Sequence, residues 1–205
     1  MSNDDALSAF NTQIKLAKGI SDDKDKATVL KNLLTNQNLT DEMIASLVDC
    51  AKTMYSSDDK AGVFQLIARR FNLSSKQFRV SVAGINGIND SDDQANTLKA
   101  FLAYEQYAVQ HLDVVLSATA TIYAGDSKAS VFLQLISNRY LNVQHFPSIL
   151  DGIKRISDDE DKSKVLCKLA PRLPKNDAYV RRAYLAAAGS IYSSEEKAAV
   201  TMAFM

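Results

Sequence analysis

The sequence predicts an all-α protein: a right-handed solenoid of six 34-residue helical hairpins, about twelve helices in a single repeat domain spanning residues 1–205. Three observations predict it. The first is repetition. ISDDKDKATVL (20–30) returns as ISDDEDKSKVL (156–166), and anchoring each copy on the residue after its acidic cluster finds six: Lys26, Lys60, Gln94, Lys128, Lys162 and Lys197. The gaps are 34, 34, 34, 34 and 35 residues, the period of stacked helical hairpins. The second observation is that apolar residues recur within each copy at helical spacing. The third is a shortage of breakers. Three Pro, seven Gly and no Trp favour helices over a turn-rich all-β chain.

The second helix of each hairpin follows from the columns after the anchor. One residue on stand Ala27, Ala61, Ala95, Ala129, Ser163 and Ala198; three on, Val29, Val63, Thr97, Val131, Val165 and Val200. Leu30, Phe64, Leu98, Phe132 and Leu166 stand four on, and Leu33, Ile67, Phe101, Leu135, Leu169 and Phe204 seven on. Together they make one broad apolar face. An oxygen-bearing side chain with an acid three later marks the start: Asp22 with Asp25, Ser56 with Asp59, Asp90 with Asp93, Asp158 with Asp161, Ser193 with Glu196. The pattern resembles a capping box. Ala124 breaks it in the fourth copy, where Gly125 and Asp126 are the substitutes.

The first helix ends at Ile20, Met54, Ile88, Ile122, Ile156 and Ile191, six before the anchors. Its core face carries Ile14, Val48, Val82, Leu116, Leu150 and Leu185 twelve before, and Phe10, Ile44, Phe78, Leu112 and Phe146 sixteen before. Thr40 and Ser74 read as N-caps, and Pro147 as a first-turn residue whose missing N–H costs little. The hairpins then run 1–34, 35–68, 69–102, 103–136, 137–170 and 171–205. The expected arrangement resembles the superhelices of tetratricopeptide (TPR) and HEAT repeats. A weaker alternation overlies the period. KAGVFQLIARRF (60–71) and KASVFLQLISNRY (128–140) match, and Tyr55, Tyr123 and Tyr192 mark the even copies. Alternate hairpins are expected to pack differently, as if a two-hairpin unit had been duplicated.

MYSSDDKAGVF (54–64) and KVLCKLAPRLPKNDAYVRRAYLAAAGSIYSSEEKAAV (164–200) resemble a bacterial helical repeat with an I-S-S-D-Y-E-K-x-x-V-L core. That module often lies beyond the membrane metallopeptidase domain of antibiotic-sensing receptor-like proteins. The resemblance covers all six copies and implies an interaction scaffold. It does not extend to protease activity: neither His111 nor His145 is followed by Glu, so His-Glu-x-x-His is absent. The motif's tyrosine is also missing, with Asp58, Asp126 or Glu160 nearby instead.

Composition narrows the function. Lys plus Arg and Asp plus Glu are 24 each, without the basic excess of a dedicated nucleic-acid binder. No apolar run approaches the roughly 18 residues of a membrane span, and the polar, acidic MSNDDALSAF has no secretory pattern. The expected location is the cytoplasm. Cys50 and Cys167 are too few for a disulfide framework and read as thiols, Cys50 as packing. His111 and His145 share a column seventeen before their anchors, a pair too sparse for a metal site. VAGING (82–87) lacks the Lys and the strand of a phosphate loop. No catalytic residue, cofactor or metal ligand is assigned, and the chain is read as non-enzymatic.

Two features point to partners. Of the 24 acids, 15 fall in the four positions before the anchors, which stacking aligns as a ridge; helix capping accounts for it. Lys164, Lys168, Arg172, Lys175, Arg181 and Arg182 face Asp177 alone, net +5 within 19 residues. The last helix leaves Met202, Phe204 and Met205 half-exposed, a route to a homodimer or a docked partner. The candidate partner-binding residues are therefore Lys164, Lys168, Arg172, Arg181, Arg182, Met202, Phe204 and Met205. The expected function is a protein-binding scaffold or adaptor. The alternatives are an immunity or regulatory protein masking one partner, and nucleic-acid or acidic-partner binding through 164–182.

Overall fold

A computed structural model describes residues 3–36, 38–70 and 72–205, with the side chains of residues 3 and 4 outside the description. Phe71, which closes one of the two matching stretches, and the first two residues of the acidic N-terminus lie outside the described residues. Among the described residues there are thirteen α-helices, two 3₁₀ turns and no strand. Hairpin one is α1 (Asn3–Lys18) and α2 (Asp23–Leu33); hairpin two, α3 (Asp41–Ala51) and α4 (Ser57–Ala68). Hairpin three is α5 (Ser75–Gly84), a 3₁₀ turn (Ile85–Gly87) and α6 (Ser91–Leu102). Hairpin four has a divided first helix, α7 (Glu105–Gln110) and α8 (Leu112–Thr121), before α9 (Gly125–Leu135). Hairpin five is α10 (Phe146–Ile153) and α11 (Asp159–Leu169), followed by the 3₁₀ turn Ala170–Arg172; hairpin six is α12 (Ala178–Gly189) and α13 (Ser194–Phe204).

The count exceeds twelve because His111, at φ −116° and ψ 40°, leaves helical geometry and separates α7 from α8. Otherwise the period is kept closely: all six second helices begin three residues before their anchor. The chain forms two compact units, residues 1–101 and 102–205. The boundary lies within one residue of the predicted division between hairpins three and four, so each unit holds three hairpins. In the first unit α1, α3 and α5 pack side by side, and α2 packs on α4. In the second, α8, α10 and α12 form one layer and α9, α11 and α13 the other.

The caps are those the sequence spells. Asp22, Ser56, Asp90, Asp158 and Ser193 each accept the backbone N–H three residues on. Thr40 and Ser74 cap α3 and α5, and only Ser74 with Gln77 completes a reciprocal box. Ala124 makes no side-chain cap; within the first turn Asp126 instead accepts from Ser127 N–H. Pro147 stands in the first turn of α10.

Most residues of the predicted columns form the core; Ile20, Val29 and Leu33 of the first hairpin are half-buried and Ala198 of the last is exposed, and the column twelve before the anchor has two departures. Leu116 is half-buried, and Leu185 is 46% exposed. The single extra residue of the last gap lies between α12 and its anchor, so α12 keeps the 34-residue register of α10. Tyr184, not Leu185, therefore aligns with Leu150, and it is fully buried. Its hydroxyl donates to Val200 O at 2.9 Å, and burial pushes its pKa well up.

The alternation has a packing cause. Even copies carry Phe64 and Phe132 four after the anchor, and the next hairpins carry glycine opposite: Gly84 and Gly152. A Cβ on Gly84 would meet the Phe64 ring and Val48 Cγ1 at 2.8 Å; on Gly152 it would meet the Phe132 ring at 2.7 Å. Large residue and missing side chain alternate together. Tyr55, Tyr123 and Tyr192 are about nine-tenths exposed at 89, 92 and 93%; nothing in the structure explains their recurrence.

Three sets of polar contacts tie each hairpin to a neighbour. The anchors form the first. Lys26, Lys60, Lys128 and Lys162 are buried, and each ammonium reaches the end of the next hairpin's first helix. Lys26 Nζ donates to Thr53 Oγ1 at 3.3 Å, Lys60 to Gly87 O, Lys128 to Arg155 O at 3.3 Å and Lys162 to Ser190 O at 3.1 Å. A cation there meets the negative end of the helix dipole. Desolvation pulls the pKa of Lys60 and Lys128 down; Asp23 opposes this at Lys60, and Arg155 adds to it at Lys128.

The residue three before the anchor forms the second set. Asp23 Oδ2 accepts from Tyr55 N and Ser56 N at 2.6 and 2.7 Å, and Asp159 Oδ2 from Tyr192 N and Ser193 N, both at 2.8 Å. Ser57 Oγ does the same for Asn89 N and Asp90 N. Gly125 occupies this position in hairpin four and has no oxygen to offer. Its Cβ would stand 3.1 Å from Ser157 Oγ and 3.5 Å from Asp158 N. Ser157 is exposed and free to swing aside. Gly125→Ser is therefore expected to gain about 0.5–1.5 kcal/mol from a restored hydrogen bond. Urea midpoints of parent and variant test it; an unchanged or lower midpoint would show that Ser157 cannot yield.

The third set lies ten residues after the anchor and reaches back. Arg70 Nη1 donates to Leu34 O at 2.6 Å and Asn36 O at 2.9 Å. Asn138 Nδ2 donates to Glu105 O at 2.7 Å. Arg172 donates to Ile136 O and, at 2.9 Å, to Asn138 O. Arg70 and Arg172 satisfy carbonyls at the C-terminal ends of α2 and α9, where helices run out of their own donors; Asn138 reaches the first residue of α7.

The carboxylates of the second set give stability a pH dependence. The Ser56 N–H, and then the Tyr55 N–H, hold Asp23 below the usual Asp value of 3.8; Ser193 and Tyr192 do the same for Asp159. Their contribution is complete above 3.8 and is lost as pH falls through the depressed value. Asp93 and Asp161 run the other way, raised by desolvation and neighbouring acids, so acidification relieves them. The stability difference between parent and Asp159→Ala is expected to shrink between pH 5 and pH 2. Urea titrations across that range would show it, and a constant difference would refute it.

Candidate partner-binding groove

The predicted basic stretch is not one surface. Lys164 and Lys168 are exposed on α11, and Lys164 pairs with Glu160 at 2.8 Å and Asp161 at 3.7 Å on its own helix. Arg172 is a bridging donor to the preceding hairpin, as is Arg70. Arg181 and Arg182 are exposed on α12. At the last helix Met202 and Met205 are exposed, at 67 and 87%. Phe204 is not half-exposed as expected. It is 8% exposed and stacks on Tyr184 with centroids 4.3 Å apart, because the column seven after the anchor faces the core in this hairpin too. Cys50 is buried and Cys167 half-buried, both as free thiols. His145 Nδ1 accepts from Asn142 N at 3.0 Å just before α10.

Arg182 belongs to a different constellation. A groove of 720 Å³ opens within the second unit, lined by α8, α9, α10 and α12. On α8 its residues are Asp113, Leu116, Ser117 and Ala120, and on α12 Tyr179, Arg182, Ala183 and Ala186. Spacings of three and four put each set on one helical face. Helix α10 contributes Pro147, Ser148, Asp151 and Gly152, the turn that follows it Lys154 and Arg155, and α9 supplies Lys128 and Phe132. The half-burial of Leu116 is explained here: it is groove wall.

The lining mixes small residues, Ala120, Gly152, Ala183 and Ala186, with charged ones. Asp151 Oδ1 accepts from Lys154 Nζ at 2.8 Å, and Asp151 Oδ2 lies 3.5 Å from Arg155 Nη2. The Lys154 hydrogen bond, ahead of the charges, holds the Asp151 carboxyl below its usual range. Tyr179 is 68% exposed, one turn from Arg182. The sequence reading missed Asp151, Lys154, Arg155 and Tyr179. Their signal is the polar stripe of the first helices, legible only once α8, α10 and α12 are known to be neighbours.

No helix among the described residues is long and apolar enough to cross a membrane, and no group of three His, Cys, Asp or Glu among them is placed to hold a metal ion. No protein-family model, curated protein or solved structure matches the chain.

Proposed function

We propose that this chain is a non-enzymatic protein-binding scaffold or adaptor acting in the cytoplasm. The observation that carries the reading is the groove of the second unit, an open, mixed apolar and charged surface on packed helices. The bridging contacts between hairpins hold those helices before any partner arrives, so little ordering cost remains for binding. The shifted carboxylates outside the groove fit the same reading. Asp23, Asp93, Asp159 and Asp161 sit at helix starts, where capping, bridging and crowding account for them. Scattering of the basic stretch over two helices, with Arg172 used internally, weighs against nucleic acid. The exposed Met202 and Met205 offer a second route, self-association through the last helix.

Affinity capture from lysate of the source cells, with Tyr179→Ala/Arg182→Ala as the control bait, tests the proposal. A protein retained by the parent and lost by the variant is expected. A single stoichiometric partner would narrow the role to masking that protein. Equal retention by both baits, or none, would sink the groove reading. A light-scattering mass that falls on Met202→Asp would identify self-association; Phe204→Asp is unsuited because Phe204 is core.

A further inference from the structure

Building on the scaffold reading, we propose that the groove of the second unit takes an extended acidic peptide segment of a protein partner. Charge complementarity carries it. Lys128, Lys154, Arg155 and Arg182 line the groove against Asp113 and Asp151, a formal excess of two positive charges, with the buried Lys128 ammonium already bonded to Arg155 O. Asp151 is already engaged by Lys154 and Arg155, and Arg182 is exposed on the neighbouring α12. A guanidinium presents paired N–H donors that match a carboxylate. The small lining residues select a peptide over a side chain alone: Ala120, Gly152, Ala183 and Ala186 keep the helix surfaces low, so a partner backbone can approach. A volume of 720 Å³ lies within the 300–1,000 Å³ of ordinary binding clefts, room for a short segment and not a folded domain. The two carboxylates in the lining disfavour a nucleic-acid strand, whose closely spaced phosphates would meet Asp113 and Asp151. A peptide with acids separated by neutral residues avoids them and leaves Tyr179 an apolar or aromatic side chain to cover.

The test is selection from a phage-displayed library of random 16-residue peptides on the full chain, repeated with Arg155→Glu/Arg182→Glu. Both arginine side chains are largely exposed, and an unchanged melting curve confirms that the variant is folded. Enrichment of Asp and Glu at least twofold over the library is expected. The best peptide, synthesised and labelled, is expected to bind at least tenfold more weakly to the double variant and to weaken as salt rises. Absence of acidic enrichment, or affinity untouched by the charge reversal, would overturn the proposal. Tighter binding of a sixteen-residue oligothymidylate than of the best peptide would also overturn it. Selection of neutral, apolar peptides that still need Tyr179 would leave the scaffold reading standing and defeat only the acidic one.

Discussion

Gly84→Ala will destabilise the first unit by about 1–3 kcal/mol, the cost of overpacking a filled core. In an open helix the same exchange gains up to about 1 kcal/mol from helix propensity. The sign reverses because a Cβ at residue 84 would stand 2.8 Å from two Phe64 ring carbons and from Val48 Cγ1, and Phe64 is fully buried with nowhere to retreat. The complement is Phe64→Leu, which places there the residue that odd copies carry at Leu30, Leu98 and Leu166. Alone it loses contact; paired with Gly84→Ala it is expected to recover much of the loss. Urea denaturation of the four proteins should give a coupling of about 1–2 kcal/mol. Strict additivity would mean that ring and glycine do not compete for the same space.

Val63→Asp will cost more than about 4 kcal/mol and unfold at least its own hairpin. Val63 is 0% exposed, and a carboxylate there has no partner to offset its lost hydration. Val63→Thr is the control. Thr97 holds the same column in the third copy and is fully buried, so a hydroxyl is tolerated where a charge is not. Circular dichroism with amide exchange should show protection lost around α3 and α4 in the aspartate variant and kept in the threonine variant. An aspartate variant that melts like the parent would refute the core assignment.

The period was legible because it is written in every copy: six helices start at the same offset from their anchors, and Val63, Val131, Val165 and Val200 are all buried. What a column cannot show is what it touches. Lys26, Lys60, Lys128 and Lys162 served as register marks, and their burial against the next hairpin depends on atoms 27 or 28 residues away. Phe64 and Gly84 look unrelated until stacking sets them face to face. The displacement of Leu185 by Tyr184 follows from one inserted residue, whose place on one side of α12 or the other decides which residue is core. Arg172 looked like surface charge because its carbonyl partners, at Ile136 and Asn138, carry no sequence signature. The groove was hidden for the same reason: its walls come from four helices, none distinctive alone.

The pairing of a ring on one hairpin with a glycine on the next bears on how such an array can be lengthened by gene duplication. Copying two hairpins together carries phenylalanine and glycine as a matched set, and each new joint fits at once. Copying or deleting one hairpin shifts the phase, setting a ring against the alanine or cysteine of an even hairpin, such as Cys50 or Ala118. Viable lengths of this architecture should therefore change in steps of 68 residues, twice the 34-residue spacing, with odd-numbered descendants needing a compensating change from phenylalanine to leucine.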